Sequence, residues 1–233
     1  QMIKFFRKIR YDLMEKNKTG KYFKYAFGEI ILVVIGILIA LSINNWNTDR
    51  LEKKEVANFL EQIETEIESD IIHFNLTLSN IQRYTDYLNK VTERKYNEID
   101  LSQLPNSLAM NSSSKNFGLS YTKMLESGII KHIENSQISE KLQTYYLVNC
   151  AKYNSGTEFH ANFVSDHIEG PLLLMLNHKK DFLVDPKEVI EELENGKLMS
   201  LVNWQISSFE AQIPEIEENV IIAKKLISLI TKK

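Results

Sequence analysis

The sequence predicts an all-α protein: a single N-terminal transmembrane helix continuing into a long helix of an elongated periplasmic helical bundle or coiled-coil hairpin. Three observations predict it. The run "YAFGEIILVVIGILIALSINNW", from Tyr25 to Trp46, carries one charged side chain, Glu29. Apolar residues then recur at three- and four-residue steps in two long stretches, one after the run and one at the C-terminus. No segment alternates with period two for long enough to make a strand.

The leader, residues 1–24, holds eight basic residues against two acids, whereas residues 47–233 hold 20 Lys and Arg against 28 Asp and Glu. Met2, Phe5, Phe6, Ile9 and Leu13 fall near one helical face, with Lys4, Arg7, Lys8 and Arg10 around the remainder. That pattern suits a short amphipathic helix on an anionic membrane surface, and equally a bare topology signal.

Residues 25–46 approach the ~20 apolar positions that span a bilayer core. The run ends in "SINNWN" without the small-residue pattern of a cleavage site, so an uncleaved signal-anchor is expected. Tyr22, Tyr25 and Trp46 flank it as interfacial aromatics do. The Lys/Arg excess before the span predicts a cytoplasmic N-terminus and an exported C-terminal part. Glu29, Val33, Gly36, Ala40 and Ile43 share one helical face, and Gly36 with Ala40 makes the small-xxx-small spacing that lets membrane helices approach. Glu29 on this face reads as a helix-recognition group, a headgroup-level carboxylate or a proton carrier.

"MIKFFRKIR" followed by "KYFKYAFGEIILVVIGILIALSINNWN" resembles the opening of an uncharacterised inner-membrane protein family of Bacteroidota (flavobacteria). The likeness is dense at this end and looser later, around "MLESGIIKHIENSQISEKLQTYY". The resemblance implies a Gram-negative inner membrane and a periplasmic domain at 47–233. It supplies no catalytic residues.

Within 47–233 a long helix is expected over 48–96, an irregular insert over 97–196 and a long helix over 197–231. The first carries an apolar stripe through Leu60, Ile67, Phe74 and Ile81, the last a heptad-like stripe through Phe209, Ile216, Val220 and Ile227. The economical arrangement packs the two stripes on each other, antiparallel; a dimer seam is the rival. Pro214 predicts a kink within the last helix. In the insert, "NEIDLSQLPNSLAMNSSSKNFG" reads as a loop, and residues 121–133 as a short helix despite Gly128. Asn135 or Ser136 starts a helix to about 154, and another covers 158–169 up to Gly170-Pro171. Asp185 opens a further helix with Pro186 and a capping-box Glu188, which stops at Asn195-Gly196.

Reaction chemistry is sparse. His160 and His167 share a face at α-helical spacing, but seven residues put them ~10 Å apart, too far for two imidazoles to chelate one ion. Cys150, the single cysteine, has no neighbouring His and reads as a buried structural thiol. Tyr145, Tyr146, Tyr153, Phe159 and Phe163 read first as core and second as walls of a ligand pocket. Accordingly no catalytic residue, metal site or cofactor is expected, and the mildly acidic exported part argues against nucleic acid. The expected role is a non-enzymatic membrane-anchored subunit that binds or scaffolds a protein partner or a second copy. The alternatives are a ligand sensor and an ion-coupled single-span subunit using Glu29.

Overall fold

The computed structural model describes Arg7, Tyr11, residues 19–180 and residues 183–232. Lys4, Lys8 and Arg10 of the basic leader lie outside the described residues; Arg7 is exposed in a helical turn. The chain is all-α, with no strand among the described residues. It divides into two compact units, Gln1–Glu55 and Val56–Lys233.

Helix α1 covers Thr19–Thr92. No Gly or Pro interrupts it after Gly36, so nothing local stops the helix as its surface changes from all-apolar to one-sided. Among the described residues it is the one helix long and apolar enough to cross a membrane, and its apolar window is not buried. Glu29 is half-exposed, while Val33, Gly36, Ala40 and Ile43 are exposed. Arg94, at φ 58°, turns the chain into the left-handed region and closes α1 at Thr92, four residues short of the expected 96.

In the second unit the presumed insert supplies a third long helical stretch. Helix α4 (Ser136–Thr144), a π turn (Tyr145–Cys150), α5 (Ala151–Phe163), a second π turn (Val164–Glu169) and α6 (Gly170–Met175) follow without a break. Asn135 caps the start by accepting from the Gln137 N–H at 3.0 Å. The expected stop at Gly170-Pro171 does not occur: Pro171 opens the segment after the π turn. The wider π turn accommodates a residue without an N–H and relieves its ring's clash with the preceding turn.

Helix α7 (Pro186–Glu194) starts as expected, Asp185 accepting from the Lys187 N–H at 2.9 Å. Glu188 does not complete a capping box; its carboxylate accepts from the Asn177 N–H and side-chain amide, tying down the preceding loop. Helix α8 (Lys197–Thr231) runs through Pro214. The expected helix over 121–133 is broken: α3 (Leu119–Glu126) ends before Gly128, whose φ of 71° leaves the helical region, and a 3-10 turn follows. The expected loop after residue 97 is partly folded, as 3-10 turns and a short helix α2 (Leu104–Leu108) that bury Leu101, Leu104 and Leu108.

Two apolar clusters form the core. Val56, Leu60, Ile63 and Ile67 of α1 join Ile138, Leu142 and Tyr145, together with Ala223, Leu226 and Ile230 of α8. Phe74, Ile81 and Leu88 join Tyr153, Val164 and Ile168, together with Val202, Phe209, Ile216 and Val220. The α4–α6 stretch therefore runs parallel to α1, and α8 runs antiparallel to both. Both stripes share their core with the middle stretch; Ile227, the outermost of the eight stripe residues, is half-buried.

Candidate functional site

Residues 110–118 form no helix or turn, yet they thread among the three long helices on a set of side-chain hydrogen bonds. A strap of this kind leaves backbone groups without helical partners, and side chains must supply them. Gln205 of α8 donates from Nε2 to the Met110 carbonyl at 2.7 Å. The Ser112 hydroxyl donates to Gln212 Oε1 at 2.9 Å, and the Tyr153 hydroxyl to the Ser113 carbonyl at 3.1 Å. Asn154 holds Lys115 twice, accepting from its N–H and donating to its carbonyl. Glu66 accepts from the N–H and hydroxyl of Ser120, satisfying the first turn of α3.

At the centre lies an ion pair between a buried carboxylate and a partly buried ammonium. Lys115 Nζ is 2.6 Å from Asp70 Oδ1, and the Tyr145 hydroxyl donates to Asp70 Oδ2 at 3.0 Å. Burial pushes the Asp70 carboxyl above its ordinary range, opposed by hydrogen bonding and charge from Lys115. Burial likewise raises the Tyr145 phenol and pushes the Cys150 thiol up to about 12. The thiol is thus protonated at neutral pH and unsuited to nucleophilic attack. His73 Nε2 lies 3.0 Å from the Tyr153 hydroxyl, whose proton serves Ser113, so the imidazole is the donor there. Phe74 stacks on Phe117 at 5.5 Å and meets Tyr153 edge-on at 5.1 Å. These groups satisfy one another, and what they accomplish is to hold the strap.

His160 and His167 do not share a face. His160 is buried, stacked on Trp204, with Nε2 3.1 Å from Gln205 Oε1; His167 is exposed. The π turn over Val164–Glu169 changes the register between them, so that buried positions proceed as His160, Val164, Ile168 and Leu172. Among the described residues no three His, Cys, Asp or Glu side chains gather closely enough to hold a metal ion. Of the pocket aromatics, Tyr145 and Tyr146 lie in the core and Phe163 stacks on Trp204. Tyr153 and Phe159 line a cavity of about 220 Å³ between α5 and α8.

Sequence reasoning passed over Asp70, Lys115, Asn154 and Gln205. For Asp70 a signal existed: it sits three residues after Ile67 and four before Phe74, on the buried stripe. Nothing in the local pattern around Lys115 marks it, because its partners come from 45 and 39 residues away.

The fold and site define a helical-bundle protein whose first bundle helix also contains a membrane-length apolar segment. The chain belongs to a family of unknown function, DUF6090, which it matches over residues 29–203. The match begins at Glu29, inside the apolar run, and extends through the strap and the α4–α6 stretch into α8. No curated protein and no solved structure matches the chain.

Proposed function

We propose that the chain is a non-enzymatic inner-membrane subunit, N-terminus cytoplasmic and helical domain periplasmic, that binds or scaffolds a protein partner or a second copy of itself. The observation that carries this reading is the continuity of α1: one helix supplies both the apolar span and the stripe of Leu60, Ile67, Phe74 and Ile81. A partner that engages the span acts on the same helix that carries the buried stripe. The family match, which begins within the apolar run and continues into the bundle, supports treating span and bundle as one functional unit. The non-enzymatic part rests on the core's polar groups: Asp70 is committed to Lys115 and Tyr145, and Cys150 is held protonated. The Lys/Arg excess before the span supports the orientation.

Purification from the native membrane, with identification of stoichiometric companions, tests the partner. Cysteines placed at Glu29, Gly36 and Ala40 in a Cys150→Ala background should crosslink the span to its neighbour more than cysteines at Leu32 and Leu38. Equal crosslinking on every face, with no companion recovered, would sink the reading. A periplasm-dependent reporter fused after Lys233 should be active; a stable but silent fusion would reverse the orientation.

A further inference from the structure

An ionisable ring, His73, sits where the strap is fastened to the bundle. It is half-buried on α1, with the Phe117 ring of the strap edge-on at 6.0 Å and the Tyr153 ring of α5 at 5.7 Å. Its Nε2–H donates to the Tyr153 hydroxyl at 3.0 Å, and that hydroxyl donates to the Ser113 carbonyl at 3.1 Å. The imidazole is thus the first link of a chain that ends on the strap's backbone. The strap itself is lightly held by packing: Asn111, Ser113, Ser114 and Asn116 are exposed, and Lys115 and Phe117 are half-buried. A segment of this kind opens by breaking a few polar contacts, without unfolding a helix.

The charges acting on the ring are those of Lys115, from the strap, and Asp70, from its own helix. Tyr153, which faces it from α5, stays neutral because burial raises its phenol, and burial keeps Tyr145 and Cys150 beside Asp70 protonated. Helix α8 meets the strap through the neutral amides of Gln205 and Gln212. With the strap closed, Asp70 Oδ1 is committed to the Lys115 ammonium at 2.6 Å. A proton on His73 then sets a second cation beside a partly buried one. Asp70 and His73 are three residues apart on α1, the spacing at which helical side chains are neighbours. A charged His73 can therefore replace Lys115 as the counter-ion of Asp70, while Tyr145 keeps its bond to Oδ2.

We propose that the strap is an acid-released latch: protonation of His73 exchanges Lys115 for His73 as the counter-ion of Asp70 and frees residues 110–118 from α1 and α5. Burial and the Lys115 charge hold the His73 ring below its ordinary 6.5, partly offset by the Asp70 charge and the Ser113 backbone. When the strap leaves, the burial and the repulsion are both relieved. The open arrangement then binds the proton more tightly than the closed one, so acid favours opening. For a ring that titrates at about 6.5 when open, opening rises by up to about tenfold between pH 7.5 and 5.5. Release uncovers the Asp70 carboxylate and the face of Phe74 on which Phe117 stacks at 5.5 Å. The latch thereby changes what the bundle presents at its surface.

Hydrogen exchange of the full chain in detergent micelles tests the latch, each rate being corrected for the pH dependence of intrinsic exchange. The Lys115 amide, bonded to Asn154, should lose about fivefold to tenfold of its protection between pH 7.5 and 5.5. At pH 5.5 its exchange should be insensitive to low urea, as local opening is, whereas exchange of the α8 amides should quicken with urea as global unfolding does. His73→Gln, whose amide can still donate to Tyr153, and His73→Phe, which keeps a ring without the proton, should both remove the acid response. His160→Gln should leave it in place. A Lys115 amide equally protected at both pH values overturns the proposal. So does one whose exchange follows urea as steeply as that of α8, since the strap then opens only with the whole bundle. A response that survives both His73 variants assigns the trigger to Asp70, whose own protonation also frees Lys115, and one that His160→Gln removes assigns it to that ring; either result rejects His73.

Discussion

Asn154 acts toward Lys115 as a neighbouring strand would: its Oδ1 accepts from the Lys115 N–H at 3.1 Å and its Nδ2 donates to the Lys115 carbonyl at 2.8 Å. One side chain thus satisfies both main-chain groups of a residue that has no helix to do so. Asn154→Leu removes both bonds and leaves a part-buried donor and acceptor unpaired, which costs about 2 kcal/mol. The measurement is the urea midpoint at unchanged m-value. Asn154→Asp keeps the acceptor, loses the donor and should fall between the two. A Leu variant as stable as wild type would mean that the strap is held elsewhere.

The Asp70–Lys115 pair should behave asymmetrically. Asp70 has a side chain 2% exposed, Lys115 one 25% exposed. Lys115→Met strands a buried carboxylate and should destabilise by about 3 kcal/mol. Adding Asp70→Asn removes the stranded charge, so the double variant should be more stable than Lys115→Met alone. A double-mutant cycle with no coupling would place the two groups in separate environments.

Two glycines predict opposite signs. A Cβ at Gly118 would stand 2.7 Å from Tyr146 Cδ1, at a φ of 72° that side chains rarely adopt. Gly118→Ala therefore should cost 2 kcal/mol or more, roughly strain plus displaced ring. At Gly156, which has open space and ordinary helical φ, alanine should stabilise by about 0.5–1 kcal/mol. Thermal unfolding of the two variants side by side decides it.

Local periodicity made the long helices legible. The last helix was expected over 197–231 and is Lys197–Thr231, because a Gly196 boundary and an unbroken stripe are both local signals. The stripe on α1 was legible too, apart from its polar member Asp70, which a hydrophobicity reading skips. The π turns were not, since nothing in "YYLVNC" or "VSDHIE" announces a wider turn. With them went the inward position of His160 and the outward one of His167. The strap was hidden for a different reason. "MNSSSKNFG" has loop composition, and its order comes from Gln205, Asn154 and Asp70, all distant in sequence. Long-range polar contacts of this sort leave no periodic trace.

The buried histidines predict a stability that falls toward acid. Burial lowers the pKa of both His73 and His160 below the ordinary 6.5; the charge of Lys115 adds to this at His73, and hydrogen bonding to Gln205 partly offsets it at His160. The folded state then binds fewer protons than the unfolded chain, so each histidine's contribution to stability is present above pH 6.5 and lost progressively below it. The limiting slope is about 1.4 kcal/mol per pH unit for each group. Asp70 acts in the opposite sense: its raised pKa favours the folded state as pH falls through that raised value, and the gain is complete at the unfolded value of 3.8. Between pH 7.5 and 5.5, substitution of the histidines isolates their share. His160→Gln, whose amide can still donate to Gln205, should reduce the fall in unfolding free energy across that interval to about half, and His73→Gln combined with it should nearly flatten the curve. The check is urea unfolding at several pH values for the three proteins. An undiminished slope in the double variant would assign the acid sensitivity to other groups.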